Sequence, residues 1–499
     1  MRRYFSFSVR VLVLIVLSIS QLINPTELWA QSSWSVHLPA IGTFSSPRVT
    51  DLNGDGVKDI ILGAGGEELV ASDSAIIAVD GANGELLWRV AARDQIFGSA
   101  ALKDIDGDGV DDVVIGGRSA VLKAVSGASG EVLWEFFSAT KLKEVRKAKW
   151  YNFYNPQFIP DQDQDGLEDL LVSNGGDVLV EAYDPNRPAG YLMVLSAQTG
   201  EVLAKAAMPD EKEIYMSVVA IPSSTRNELT VVFGTGGETI GGNLYATTLS
   251  DVMREDVSEA RLLSSSPDKG FIAPPVAVDI TGDTVPDIVA ISVAGDIMAF
   301  DGSTFEALWQ NTLPNTEAYS SLAVGNFTSD TIPDFFASVA EGEWPKLEWN
   351  RQFMVNGSTG AIEFRDSLGF YQTSTAVAVD LTDNGRDEII MSVNYQQVNE
   401  LYQKFFYNML VAIDIGSGDV QQLGETWEGS NISSTPWIGD LDSDGMLDII
   451  YCHGTDLRHT YTFNGLQIHR ITTEVLIKKP ISWGSYMGSW YNGVFPPNK

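Results

Sequence analysis

Residues 104–117 read Asp-Ile-Asp-Gly-Asp-Gly-Val-Asp-Asp-Val-Val-Ile-Gly-Gly, an acidic turn that runs without a break into an apolar strand. The unit recurs, and recurrence limits the possible folds more than any other property of the chain. Copies begin at Asp51, Asp104, Asp161, Asp279, Asn326, Asp380 and Asp440. The interval from Asp161 to Asp279 is about twice the others, and it holds two apolar stretches, residues 217–222 and 228–234, with no acidic turn between them. Counting that silent copy gives eight repeats about 56 residues apart, the spacing of propeller blades with insertions.

Each repeat divides into four short strands. In the first they are residues 47–52, 59–63, 75–80 and 85–90, separated by turns rich in Gly, Asn and Asp. The last turn, Asp80-Gly-Ala-Asn-Gly84, has equivalents at residues 126–130, 301–304 and 356–360. A sheet of four strands cannot bury both faces alone, so the sheets must stack radially and close. The expected fold is all-β: an eight-bladed β-propeller of four-stranded antiparallel blades, with a seven-bladed ring as the alternative. Trp34 precedes Asp51 by 17 positions, as Trp309 precedes Asn326. The N-terminal segment therefore reads as the fourth strand of a repeat whose other strands lie at the far end of the chain. Pairing there would close the ring, although residues 468–474 compete for the same place.

The acidic turn has the donor pattern of a calcium loop. Asp104, Asp106, Asp108 and Asp112 stand at positions one, three, five and nine, the Val110 carbonyl at seven, and Gly109 relieves the turn. Zinc would call for His or Cys, and the chain has four His and one Cys. The same set recurs as Asp51, Asn53, Asp55, Val57 and Asp59; as Asp161, Asp163, Asp165, Leu167 and Asp169; and as Asp440, Asp442, Asp444, Met446 and Asp448. Asp279, Asp283 and Asp287 form a degenerate copy with Thr284 in place of Gly, and the copies at Asn326 and Asp380 are poorer still. The expectation is several structural Ca2+ sites and no other cofactor.

Over residues 34–474 the chain resembles the FG-GAP or VCBS repeat family, through Asp-x-[Asp/Asn]-x-Asp-Gly-x-x-Asp complete at Asp51, Asp104, Asp161 and Asp440. The resemblance implies a propeller like the head of integrin α subunits and a role in adhesion. Residues 78–88, 124–134 and 299–309 resemble the tryptophan-docking segments of quinoprotein dehydrogenases, which implies that Trp88, Trp134 and Trp309 pack between blades. A quinone is not implied, because the adjacent cysteine pair of many such enzymes cannot be made from Cys452 alone.

Arg2, Arg3 and Arg10 precede an apolar run at residues 11–19, too short to span a bilayer, and Leu28-Trp29-Ala30 follows. The organisation expected is a signal peptide at 1–30, the propeller at 31–477 and a tail at 478–499 packed on it, with no transmembrane segment after signal removal. The protein is then secreted, periplasmic or at the cell surface. A formal net charge of −34, from 66 acidic against 32 basic residues, argues against nucleic acid as a partner.

Turns between strands one and two and between three and four share one face of a propeller, so long loops elsewhere gather on the other. These are residues 140–158, with Lys141, Lys143, Arg146, Lys147 and Lys149, then 176–190, and the aromatic-bearing 341–351 and 394–407. Such loops on a rigid frame suit an extracellular glycan or protein ligand on the face opposite the calcium loops. No Ser-His-Asp pattern, zinc motif or phosphate loop is present, and His37, His453, His459 and His469 sit near the chain ends. The leading expectation is a non-catalytic binding or adhesion scaffold; the alternative is a calcium-dependent polysaccharide lyase with Lys147 or Lys149 as its basic group. A quinone-dependent dehydrogenase is a third reading.

Overall fold

The strand Asp59–Gly63 is buried at all five residues, as expected of a strand with other sheets against both of its faces. Its side chains alternate: Ile60 and Leu62 pack toward Ile450, Cys452 and Ile468, whereas Ile61 packs toward Val113 and Ile115. The computed structural model describes residues 30–138, 142–222 and 228–496, so the signal-peptide expectation and Lys141 lie outside the described residues. Eight antiparallel sheets follow one another in chain order, seven of them with their strands laid out consecutively from the axis outward and the last completed by the N-terminal strand. Blade 1 is Arg48–Thr50, Asp59–Gly63, Ser72–Val79 and Leu86–Ala92. The silent repeat is blade 4, made of Val219–Pro222, Leu229–Gly234, Gly242–Thr248 and Arg261–Ser266.

Blade 8 settles the competition at the chain ends. Residues 468–474 belong to its third strand, Gly465–Leu476, and the fourth place goes to the N-terminal strand Ala30–Pro39. Twelve residues of continuous strand leave no turn after Ile468, so the C-terminal stretch cannot fold back to supply a fourth strand of its own. Register runs from Thr473 opposite Ala30 to Gly465 opposite Pro39.

Tryptophans lock successive blades. Trp88 on the fourth strand of blade 1 donates its indole N–H to the Gly127 carbonyl of blade 2 at 2.8 Å, and Trp134 repeats the contact with Ala197 at 2.7 Å. Trp309 reaches Gly357 at 2.8 Å, and Trp34 reaches Gly81 across the chain closure at 2.9 Å. Gly130 lies under the Trp88 ring with φ +74°; a Cβ there would stand 2.7 Å from the indole, so only glycine fits.

The C-terminal segment fills the axis. The first strands of the blades face inward, and the backbone of blades 8, 7 and 5 bonds to it through Ile438 to Gly484, Ala378 to Trp483 and Ala277 to Gly493. Buried Arg48 of blade 1 donates to Ser485 Oγ at 2.8 Å and lies 4.0 Å over the Tyr491 ring; burial lowers its pKa to about 10.

Candidate functional site

The acidic turns are built from their own side chains. In blade 2, Asp104 accepts from Gly107 and Gly109 backbone N–H groups at 2.7 and 3.0 Å, and Asp108 accepts from Val110 at 2.8 Å. This directs the oxygens of Asp104, Asp106 and Asp108 to within 4.8 Å of one another; Asp161, Asp163 and Asp169 form a second trio, and Asp440, Asp442 and Asp448 a third. Among the described residues the turns beginning at Asp51 and Asp279 assemble no such trio of acidic groups, and Asp112, Asp165 and Asp444 stand outside those that form.

The ninth-position carboxylate has a second duty. Asp112 is fully buried, accepts from Ile105 N–H at 2.7 Å and from Gly127 N–H at 3.0 Å, and so ties the first turn to the third. Asp59, Asp287 and Asp334 repeat this tie with Gly81, Gly302 and Gly357. Burial pushes Asp59 and Asp334 up to about 6. In blade 3 Ala197 replaces the glycine, and the buried Asp169 Oδ1 has no hydrogen-bond partner. In blade 8 a cation from the chain itself enters: Arg470 pairs with Asp442 at 2.5 Å and with Asp448 at 3.2 Å.

On the opposite face the axis opens into a funnel of about 910 Å³, lined by residues from all eight blades and floored by Tyr486 of the C-terminal segment. Its collar follows the repeat. Phe44, Phe97, Tyr154, Ile272 and Tyr319 each stand seven positions before the marker of their blade, and Tyr215 holds the equivalent place in blade 4. Five positions before the marker, hydroxyl residues recur in most blades and, with Asn155 of blade 3, form a hydrogen-bonded belt. Thr375 N–H donates to Thr435 Oγ1 at 3.2 Å, Thr435 to Ser46 at 3.0 Å, Ser46 to Ser99 at 2.9 Å, Ser99 to Asn155 at 2.9 Å and Asn155 to Ser217 at 3.3 Å. Apart from Tyr154 and Asn155, at the end of the long loop 140–158, collar and belt come from short connections between blades, which length alone does not single out.

Of the long loops, 140–158, 176–190 and 341–351 reach the funnel, the first through Asn152, Tyr154 and Asn155 at its end. Val178, Glu181 and Arg187 line it from blade 3 and Trp344 from blade 6, and Tyr183 meets Trp344 over the mouth with ring centroids 6.2 Å apart. Buried Glu213 accepts from Arg187 at 2.5 Å and from the Tyr215 hydroxyl at 2.9 Å; burial raises its pKa despite the arginine. Glu317 likewise binds Tyr319 and Lys269. The basic stretch lies outside: Lys143, Lys147 and Lys149 are exposed and do not line the funnel, while Trp150 and Phe153 pack inward on Phe136. Residues 394–407 form a hairpin whose tip exposes Leu401 and Tyr402.

The histidines take no part in the funnel. His453 and His469 are buried in blade 8, and His459 is an exposed loop residue beside Asp456. Cys452 is buried beside them, and burial pushes its thiol up.

Fold and funnel together define a closed eight-bladed propeller with a ligand-sized axial cavity. The chain belongs to the FAM234A/B beta-propeller family, whose model matches residues 34–388. Human Protein FAM234B is 22% identical over 379 residues, 66% of this chain and 54% of the relative, so the match spans about half of that protein. Among solved structures, a quinohemoprotein alcohol dehydrogenase of Pseudomonas putida HK5 is similar at TM-score 0.57 and 10% identity, over 90% of this chain and 77% of its own. A europium-containing methanol dehydrogenase matches at 0.57 and 11%, over 89% and 93%, and Sqt1 of Saccharomyces cerevisiae at 0.53 and 9%, over 88% and 99%. At these identities the likeness concerns the fold. Among the described residues no helix is long and apolar enough to cross a membrane.

Proposed function

We propose that the protein is a non-catalytic binding scaffold, secreted, periplasmic or at the cell surface, that receives an extracellular glycan or protein segment in the axial funnel. The observation that carries this reading is the funnel itself, a cavity of about 910 Å³ to which every blade contributes and which sits on the face away from the acidic turns. Its volume lies in the range of ligand sites, and its lining mixes aromatic faces with a few fixed polar groups. Calcium in the acidic turns is part of the proposal. Supporting it are the hard oxygen donors of the trios at Asp104 and Asp161 and the unpartnered, buried Asp169 Oδ1. Bound ions would neutralise clustered carboxylates and stiffen the face that carries no funnel.

A glycan and protein array, probed with and without chelator, tests the proposal. Specific binding that a funnel-blocking change such as Ser217→Trp abolishes is the expected result. Failure to bind any member would remove it, and release of unsaturated products from acidic polysaccharides would favour the lyase instead.

A further inference from the structure

The funnel contains a worked example of its own chemistry. Where blades 1 and 2 meet, the Arg118 guanidinium lies 5.4 Å over the Phe97 collar ring and 2.5 Å from the Glu68 carboxylate. A cation is thus held between an aromatic face of the collar and a carboxylate from a turn between second and third strands. From blade 4 to blade 6 the same two elements recur with no cation over either ring among the described residues: Arg187 meets Tyr215 at its hydroxyl, at 2.7 Å, and Lys269 donates to the Glu238 backbone carbonyl at 3.4 Å. The collar supplies Tyr215 and Tyr319, and the turn between Leu229–Gly234 and Gly242–Thr248 supplies Glu238.

Charge accounting in the cavity points the same way. Its lining holds four carboxylates and two arginines. Arg118 is matched by Glu68 and Arg187 by Glu213, which leaves Glu181 and Glu238 with no ion pair among the described residues. Lys269 is nearby but engaged by Glu317 and Glu343. Glu238 is central: the Tyr154, Tyr319 and Tyr371 hydroxyls and Glu213, raised first by burial, are each raised further by its charge. A carboxylate set among tyrosine faces attracts a cation through both the ion pair and the ring quadrupoles. A polyanion entering here would meet two uncompensated carboxylates.

We propose that the blade 4 to blade 6 sector of the funnel binds an organic cation, an alkylammonium or guanidinium group, with Glu238 as counter-ion and Tyr215 and Tyr319 as aromatic walls. The proposal rests on the reading of the funnel as a ligand site and narrows its chemistry. The group could be carried by a free amine or by a lysine or arginine side chain of a partner's loop.

Isothermal calorimetry on the full chain, at low and at physiological salt, separates these sources. One arm uses spermidine and choline, the other blocked Gly-Lys-Gly and Gly-Arg-Gly peptides, with glutarate as the anionic control. Saturable binding of at least one cation and none of glutarate is expected, weakened about tenfold by Glu238→Gln, the loss of about 1.4 kcal/mol. Glu181→Gln, on an exposed loop, should weaken it less, and Glu400→Gln, on the distant hairpin, should leave it unchanged. Binding of the peptides alone assigns the group to a protein partner, and binding of the free amines alone assigns it to a small molecule. No cation binding, or equal affinity in Glu238→Gln and wild type, would overturn the proposal. An array ligand whose binding is indifferent to Glu238→Gln would overturn it while leaving the scaffold reading in place, whereas an empty array would remove that reading first.

Discussion

His453 and His469, on adjacent strands of the closing blade, face each other with their Nε2 atoms 3.0 Å apart and their rings stacked at 12°. One consistent proton arrangement satisfies both: His453 Nδ1 donates to the Gly454 carbonyl at 3.0 Å, His469 Nε2–H donates to His453, and the Ser35 hydroxyl donates to His469 Nδ1 at 2.6 Å. Both rings are neutral in that chain, and the described ion pairs place no carboxylate beside either ring to balance an added proton.

Burial holds His453 down to about 4, and burial with the neighbouring imidazole holds His469 down to about 3. Folded values below the unfolded 6.5 mean stability that is complete above pH 6.5 and is lost as pH falls toward 4, by about 1.4 kcal/mol per histidine per pH unit. Asp59 and Asp334, raised by burial to about 6, act in the opposite sense; their contribution is present below about pH 4 and is lost as pH rises through 6. The histidine part is therefore read as a difference. Urea midpoints at pH 7 and pH 5 should diverge more for wild type than for the double variant His453→Gln, His469→Gln, and equal divergence would refute the neutral pair.

Trp88 should be worth more than its area. Trp88→Ala removes a buried ring and leaves the Gly127 carbonyl without its donor, at a cost of about 3–5 kcal/mol. Gly130→Ala, which adds only one carbon beneath the same ring at φ +74°, should cost more than 1 kcal/mol. Guanidinium unfolding of the two variants and their combination checks this; if both act on one contact, their effects will fall short of additive.

Calcium should bind first at the Asp104 and Asp161 turns. The Asp440 turn should bind more weakly, because Arg470 already pairs with Asp442 and Asp448. At a metal concentration ten times the dissociation constant each filled site adds about 1.4 kcal/mol, so chelation should lower the melting temperature measurably. Arg470→Met should strengthen calcium binding at the Asp440 turn while leaving the other two unchanged, as read by titration calorimetry. Identical isotherms for Asp104→Asn and wild type would remove the ion from that turn.

Ser99 joins two steps of the belt, accepting from Ser46 and donating its own N–H to Asn155. Ser99→Ala strands the buried Ser46 N–H and should cost about 1–3 kcal/mol, whereas Ser320→Ala, at the funnel edge, should be near neutral. Thermal melts of the two variants provide the comparison.

Much of this fold is legible because blade strands combine a marker with an apolar run. Asp59–Gly63 and Asp112–Gly116 begin at the ninth residue of the acidic turn, and even blade 4, with no marker, keeps Leu229–Gly234. Residues 468–474 were misleading because β character says nothing about which neighbour a strand pairs with; only the reach of Ala30–Pro39 around the ring decides it. The funnel was half legible. Trp344, Arg187 and Tyr154 sit on long loops, where binding residues are ordinarily sought, but Phe44, Phe97 and Tyr319 sit on short connections. Their signal was positional, a constant offset from the marker, and the acidic turns draw attention to the wrong side of it. Arg470, 22 residues after Asp448, becomes its partner only through strand pairing.

The C-terminal segment gives the funnel a floor. With Trp483, Ser485 and Gly493 wedged among the innermost strands, the axis is a dead-end well, and a guest must back out through the doorway by which it came. Residence time would then be governed by how often Tyr183 and Trp344 part above it, so a change at either ring should alter how long a guest stays more than how tightly the walls grip it.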